Sequence, residues 1–154
     1  MSAMSRTNRD VPTSRFGGVL LIVALLCSAC GLSDAKQKGE AIAEKYFVLA
    51  SSGHVDQILS LYDDSFYKVS SRGQWSATYN NIRTKLGRPI AHRLQSWQVN
   101  YLASTSGSGR AVTLIYDVDY ERAAGREMLL VFFPNGSDSG GIRGHHFESG
   151  ALLR

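Results

Sequence analysis

Hydrophobic residues recur at helical spacing in the first half of the chain and at every second position in the second half. The helical spacing predicts three helices. The first covers 34–52, with Ser33 as its N-cap and Gly53 as its stop, and the second begins at His54 or Val55 and runs to Tyr62. The third carries Trp75 and ends at Leu86, because Gly87 and Pro89 follow. The loosely alternating segment 65–71 is predicted to be a connector.

Beyond Pro89 the hydrophobic period falls to two, which is typical of strands. Four strands are predicted, over 92–102, 110–121, 126–133 and 142–149, with turns rich in Gly and Ser between them. One face of the second strand is apolar, and it consists of Val112, Leu114, Tyr116, Val118 and Tyr120. Three helices followed by a meander of four antiparallel strands predict an α+β domain.

The amino end has the pattern of a cleaved export signal. Arg6, Arg9 and Arg15 stand before a charge-free run from Phe16 to Ala29. This run is shorter than the ~20 residues that a transmembrane helix needs. A positive flank, a short apolar segment and small residues at its end favour a signal peptide. A helix buried in the core is the alternative.

The end of this leader resembles the lipobox of bacterial lipoproteins, in which small residues precede a Cys that is diacylated and becomes the first residue. Ser28 and Ala29 match the two positions before Cys30, whereas Cys27 stands where Leu is usual. The resemblance implies a signal peptide over 1–29, lipidation with palmitate-type chains at Cys30, and a short tether over 30–33. A single domain over 34–154 follows. Two acyl chains provide stable membrane anchoring.

The same resemblance implies an exported protein that is anchored by lipid to the cell envelope. The anchor lies on the periplasmic side of the outer membrane if the cell has one, because Gly31 follows the Cys instead of the Asp typical of inner-membrane retention. Cys27 and Cys30 also form a Cys-x-x-Cys pattern, but the βαβ context of redox sites is absent. Cleavage before Cys30 would moreover discard Cys27.

Composition and charge narrow the functional classes. The chain has 154 residues, of which 44% are hydrophobic and 19% charged, so a wholly disordered protein is excluded. The leader holds three of the 17 basic residues and one of the 13 acidic residues, so the domain keeps a net charge of about +2. Without a basic run, nucleic acid is not an expected partner.

The predicted order of elements resembles the nuclear-transport-factor-2-like, or cone, superfamily. Trp75, the segment 82–87, Arg93 and the closing strand 144–149 resemble an uncharacterised family of exported bacterial cone domains. The resemblance implies that three helices pack on a curved four-stranded antiparallel sheet and enclose a cavity. The superfamily contains isomerases, dehydratases, cyclases and non-catalytic binding modules, so it does not assign a chemistry.

Aromatic residues of the predicted sheet are the candidates for a ligand pocket in such a cavity. They are Trp97, Tyr101, Tyr116 and Tyr120, which would either orient a ligand or fill the core. His145 and His146 are neighbours on a strand and therefore point to opposite faces. The spacing of His and Cys predicts no metal site, and no cofactor is expected.

Acidic residues of the second strand offer a second candidate chemistry. Asp117, Asp119 and Glu121 share one face, where paired carboxylates could act as acid and base. The opposite face is apolar and should meet the helices, which favours a solvated role for the acidic face. Motifs of catalytic nucleophiles and of phosphate-binding loops are absent, so no catalytic residue is assigned.

The third strand is apolar on both faces, although helices cover only one face of a sheet. Leu129, Val131 and Phe133 are predicted to lie on the uncovered outer face. There they would form an interface with a second copy of the chain or with an envelope partner. The apolar tail Ala151–Leu153 is the competing cover.

Together these features predict a membrane-anchored envelope lipoprotein that is not an enzyme and binds a small apolar ligand or a protein partner. The alternative is a cavity enzyme of the isomerase or dehydratase type with an Asp or His base.

Overall fold

The computed structural model describes the backbone of residues 17–104 and 107–153, and the side chains of residues 31–103 and 107–153. The chain divides into two units, Met1–Gly31 and Leu32–Arg154. The described residues form helices followed by a four-stranded antiparallel sheet, so the α+β prediction is confirmed. The helices are α1 (Gly17–Ser52), α2 (Val55–Leu59), α3 (Asp64–Tyr67) and α4 (Arg72–Leu86). The strands are β1 (Pro89–Ser104), β2 (Gly107–Tyr120), β3 (Ala124–Pro134) and β4 (Gly141–Glu148). A 3₁₀ helix over Gly150–Leu153 follows.

The first helix begins much earlier than the sequence pattern predicts. It starts at Gly17, so Ser33 lies inside it and does not cap it, and the predicted tether is helical through Gly31–Ser33. No proline occurs in 17–52, and a nucleated helix adds residues at little cost. The predicted end is confirmed, because Gly53 takes φ +82° just beyond Ser52.

The segment between α2 and α4 holds a further helix that the sequence analysis assigned to a connector. The prediction of three helices is therefore wrong, because the described part of the chain contains four. The Asp63 side chain accepts a hydrogen bond from the Phe66 N–H at 3.0 Å and so begins α3. The predicted helix to Tyr62 stops at Leu59, and Tyr62 instead bridges to Ile142 of β4.

The fourth helix agrees with its predicted end and has a defined start. Ser71 and Gln74 form a capping box, each side chain bonding the other residue's backbone N–H. Gly87 ends the helix with φ +86°. On its buried face lie Trp75, Tyr79 and Leu86.

The four strands pair in sequence order as a meander, which confirms the predicted topology. The apolar face of β2 is buried toward the helices, as its alternation predicts. Its five residues, Val112, Leu114, Tyr116, Val118 and Tyr120, are all at most 8% exposed.

The predicted outer face of β3 is wrong. Leu129 pairs with Leu114 and Val131 pairs with Val112, and cross-strand partners share a face of the sheet. Leu129, Val131 and Phe133 are therefore at most 2% exposed in the core and are not available for an interface. The outer face of β3 carries Met128, Leu130 and Phe132 instead.

The carboxyl-terminal tail does not cover the outer face of β3 in place of a partner. The 3₁₀ helix Gly150–Leu153 contacts α4, and Ala151 and Leu152 pack against the core. The Lys85 ammonium donates a hydrogen bond of 3.0 Å to the Leu152 carbonyl. The tail thus extends the helical layer.

Candidate functional site

A buried polar cluster lies between the helices and the inner face of the sheet. Its centre is Glu127 of β3, which is 0% exposed. In the part of the chain that the structure describes, Glu127 is the one charged residue in the core. Glu127 pairs in register with Tyr116 of β2 and with Phe147 of β4, so its side chain is on the inner face. His145, two residues before Phe147, points to the same face.

Hydrogen bonds join this cluster into a chain of four side chains. His145 Nε2 lies 2.7 Å from Glu127 Oε2, and His145 Nδ1 lies 2.6 Å from the Tyr62 hydroxyl. The Tyr120 hydroxyl donates to Glu127 Oε1. The chain thus runs from Tyr62 through His145 and Glu127 to Tyr120.

Two proton arrangements satisfy these hydrogen bonds. In the first, His145 is neutral, Tyr62 donates to Nδ1, and Nε2–H donates to the Glu127 carboxylate. In the second, His145 is an imidazolium that donates from both nitrogens, and the buried pair carries no net charge. In either arrangement both ring nitrogens of His145 are engaged by protein groups.

The phenols around the cluster are held in their neutral form. Burial raises the pKa of Tyr46, Tyr62, Tyr79 and Tyr120, and the negative charge of Glu127 raises each of them further. These hydroxyls therefore act as hydrogen-bond donors and not as bases.

Aromatic rings close off the imidazole of His145. Phe147 stacks on it with a centroid distance of 4.1 Å, and Tyr46 meets it edge-on at 5.0 Å. Trp75 lies 5.9 Å away. The side chains of His145 and Glu127 are both 0% exposed. A general base must reach the proton that it removes, and this imidazole has no exposed atom.

Sequence reasoning did not identify Glu127 or His145 as members of one cluster. Their signal is weak but present. Glu127 is in phase with the apolar positions 129, 131 and 133, so it is a charge on a face that is otherwise apolar. The prediction that His145 and His146 point to opposite faces is confirmed, because His146 is exposed.

The four aromatic residues predicted to line a ligand pocket are not brought together. Tyr116 and Tyr120 are buried, at 5% and 8% exposure. Trp97 and Tyr101 lie on the edge strand β1 and are 44% and 63% exposed. The Lys36 ammonium lies over the Trp97 ring at 5.7 Å. These four do not line one common pocket among the described residues. Two are packed in the core, whereas the other two lie on an edge strand that has only one neighbouring strand.

Two of the three acidic candidates, Asp117 and Glu121, form ion pairs with arginines. Asp117 lies 3.5 Å from Arg93 and 3.4 Å from Arg126, and Asp119 is exposed. Glu121 pairs with Arg88 at 2.8 Å, and hydrogen bonds from Arg88 lower the pKa of Glu121. All three carboxylates are thus at least partly exposed to solvent.

The predicted signal peptide lies mostly outside the described residues. Residues 1–16 and the side chain of Cys30 are not described, so lipidation at Cys30 stays a prediction. Among the described residues, no helix has the length and apolar character needed to cross a membrane. The described residues also contain no group of three His, Cys, Asp or Glu side chains that could hold a metal ion.

Comparison with known proteins found no matching family model, no similar curated protein and no similar solved structure.

Proposed function

We propose that this chain is an exported lipoprotein, anchored through lipid on Cys30, whose cone-like domain binds a protein partner and is not an enzyme. The anchor is supported by the positive flank, the apolar run and the small residues before Cys30. The cone-like fold is supported by the order of helices before a four-stranded meander.

The inaccessibility of His145 is the observation that favours binding over catalysis. Both nitrogens of its imidazole are occupied by Tyr62 and Glu127, and no atom of its side chain is exposed. The interior there is filled by rings, which also argues against a small apolar ligand inside the domain. The partner is therefore assigned to the outer surface.

A cavity enzyme is the second candidate, and the Tyr62–His145–Glu127 chain is the observation that favours it. A carboxylate that orients an imidazole is a common arrangement of catalytic bases. This function requires the core to open. The free energy of unfolding of Glu127 variants separates the two candidates.

An apolar strip lies on the outer face of the sheet. It consists of Met128, which is 37% exposed, and of the half-buried Ile115 and Leu130. Ile115 pairs with Met128, and Leu130 follows on the same face. Phe132, next in line, is covered by the Arg143 guanidinium at 3.5 Å from its ring centroid. The strip is thus a local apolar surface beside charged neighbours.

A row of alternating charges crosses all four strands next to this strip. Arg93, Asp117, Arg126 and Glu148 are paired in register from β1 to β4. Two copies can stack with these outer faces together, around a two-fold axis that is parallel to the strands and lies between β2 and β3. The row of the second copy then runs in the reverse order to the row of the first. Each arginine then faces a carboxylate of the second copy, and the Ile115–Met128 pair lies at the axis. The partner that best complements this face is a second copy of the chain.

Substitution of Cys30 by Ser is expected to abolish incorporation of radiolabelled palmitate in cells. The thiol is the acceptor of the diacylglyceryl group, and a hydroxyl does not replace it. The matched control is Cys27→Ser, which should keep its label because cleavage discards that residue. Persistent labelling of Cys30→Ser, or loss of label in Cys27→Ser alone, would overturn the lipoprotein assignment.

Substitution of Met128 by Glu is expected to weaken self-association of residues 32–154 at least about 100-fold. Each copy would lose the burial of an apolar side chain worth about 1.5–3 kcal/mol, and the substitution occurs twice in a two-fold interface. Analytical ultracentrifugation measures the shift from dimer to monomer, and circular dichroism checks that the fold is kept.

Val69→Glu is the control for this experiment, because Val69 is 92% exposed and lies between α3 and α4, outside the strands. It adds the same charge and should leave the dimer unchanged. A wild-type domain that sediments as a monomer at high micromolar concentration would exclude the homodimer.

A further inference from the structure

Three arginines surround a small pocket at the carboxyl end of α4. The pocket has a volume of about 360 Å³ and lies where α4, the start of β1 and the β2–β3 turn meet. It is lined by Asn80, Arg83, Thr84, Gly87, Arg88, Glu121 and Arg122. Three guanidinium groups and one carboxylate give this pocket a net charge of +2.

The one carboxylate of the pocket is already engaged. Arg88 binds Glu121 twice, through its Nε at 2.8 Å and its backbone N–H at 3.0 Å. The Arg122 guanidinium donates to the Thr84 carbonyl, and no acidic side chain lies within ion-pair distance of it among the described residues. Glu121 therefore pairs directly with Arg88, its charge also acts on Arg122 at longer range, and the pocket keeps an excess charge of +2.

Arg83 is the most unusual of the three arginines. Its side chain is half-buried, and its Nε is fully buried without a hydrogen-bond partner among the described residues. No carboxylate of the described residues lies within 4.0 Å of it. The guanidinium lies beside Gly53, at the carboxyl end of α1, whose last turn contains no basic residue. The helix end favours a cation there but supplies only a partial negative charge.

A half-buried cation without a counterion is unfavourable, and a bound anion would relieve this cost. Guanidinium groups bind oxyanions through two parallel hydrogen bonds, which is why arginine is common in phosphate sites. A phosphate group carries about −1.5 to −2 charges near neutral pH, similar to the excess positive charge of this pocket. The phosphate oxygens would accept hydrogen bonds from Arg83, which α4 supplies, and from Arg122, which the β2–β3 turn supplies.

We propose that this pocket binds the phosphate group of a phosphomonoester, with Arg83 and Arg122 as the principal ligands. Arg88 contributes charge and is positioned by Glu121. The volume accommodates a phosphate with a small organic substituent. The phosphate belongs either to a free metabolite or to a lipid headgroup, and the experiment below separates these sources.

The test uses the full chain as purified from cells in a nonionic detergent, titrated by calorimetry with glycerol 3-phosphate and with inorganic phosphate. Saturable binding is expected, together with a rise in melting temperature that grows with ligand concentration. Arg83→Gln and Arg122→Gln should each weaken binding about tenfold or more. Arg83→Lys should recover little affinity if paired hydrogen bonds from the guanidinium matter.

The matched control is Arg72→Gln, which removes the same charge from the opposite end of α4. Its affinity should equal that of the wild type. Equal weakening by Arg72→Gln would reduce the effect to overall charge and overturn the site. Acetate that binds as tightly as glycerol 3-phosphate would overturn the assignment to phosphate. Absence of binding in the wild type would overturn the proposal directly.

Because Arg83 packs beside α1, its Gln variant is checked by circular dichroism. The Arg122 variant keeps the test decisive if Arg83→Gln does not fold, since Arg122 is exposed.

Micelles that contain phosphatidic acid distinguish a lipid headgroup from a soluble phosphomonoester as the source of the phosphate. Competition by these micelles, and not by phosphatidylcholine alone, assigns the phosphate to a lipid headgroup. Binding of glycerol 3-phosphate that these micelles leave unchanged assigns it to a soluble phosphomonoester.

Discussion

Replacement of Glu127 by Ala is expected to lower the free energy of unfolding by about 3–5 kcal/mol, the cost of removing one partner from a buried hydrogen-bonded pair. The substitution leaves His145 Nε2 and the Tyr120 hydroxyl without their acceptor in a site that water does not reach. A buried polar group left without a partner costs about 1–3 kcal/mol, so two such groups account for a loss of this size. Urea denaturation of residues 32–154, followed by circular dichroism, measures it.

A joint replacement of the pair provides the control. Glu127→Leu combined with His145→Phe removes both members of the hydrogen-bonded pair and fills the space with apolar atoms. Such replacements are often close to neutral, so the double variant should regain much of the stability that Glu127→Ala loses. A double variant as unstable as the sum of its single variants would show that the two side chains are not coupled.

The same measurement distinguishes a structural cluster from a catalytic one. Catalytic groups are commonly held at a cost in stability, so their removal tends to be neutral or stabilising. If Glu127→Ala leaves the free energy of unfolding unchanged or higher, the cavity enzyme with His145 as its base becomes the better candidate. The contacts of Glu127 with His145 and Tyr120 predict the opposite result.

The sequence predicts the strands well because alternation survives wherever one face is polar. In β2, polar Thr113, Asp117 and Asp119 separate the buried apolar residues, so the inner face is identified from the pattern alone. In β3, apolar residues stand on both faces, so the pattern does not indicate which face is buried. Only the pairing of Leu129 with Leu114 assigns the inner face, and this register depends on the β2–β3 turn.

The helical half shows a similar limit at its boundaries. Asp63 and Asp64 end the apolar pattern of α2, and this pattern alone marks a break. The side chain of Asp63 in fact caps α3, because the same residue type both interrupts a helix interior and begins a new helix. At the other end, the segment 30–33 contains no proline, and the single Gly31 costs a helix interior only about 1 kcal/mol, so the helix continues through Ser33.

The buried cluster could not be located from the sequence because its members meet only in the tertiary structure. Glu127 and His145 are 18 residues apart, and Tyr62 is 83 residues from His145. A glutamate at the start of a strand is ordinarily solvated, so its residue type alone argues against burial. The arginine pocket is equally nonlocal, since α4 supplies Arg83 and the β2–β3 turn supplies Arg122.

Replacement of Trp75 by Ala is expected to lower the free energy of unfolding by about 3–5 kcal/mol, as for large core residues elsewhere. Trp75 is 8% exposed, and its ring meets Phe66 at 5.0 Å and Tyr62 at 5.6 Å. It also forms part of the wall around His145. Its removal would therefore leave a cavity next to the polar cluster, and urea denaturation followed by circular dichroism measures the loss.

A second variant at Trp75 and a control at Trp97 identify what causes this loss. The indole N–H lies near the Tyr62 hydroxyl, yet it makes no hydrogen bond to any described residue. Trp75→Phe deletes this buried donor and keeps an aromatic ring, so its loss should stay below about 1.5 kcal/mol. Trp97→Ala is the matched control, because Trp97 is 44% exposed and should lose less than about 1 kcal/mol. Equal losses for Trp75→Ala and Trp97→Ala would contradict the packing of α4 against β4, since that packing is what buries Trp75.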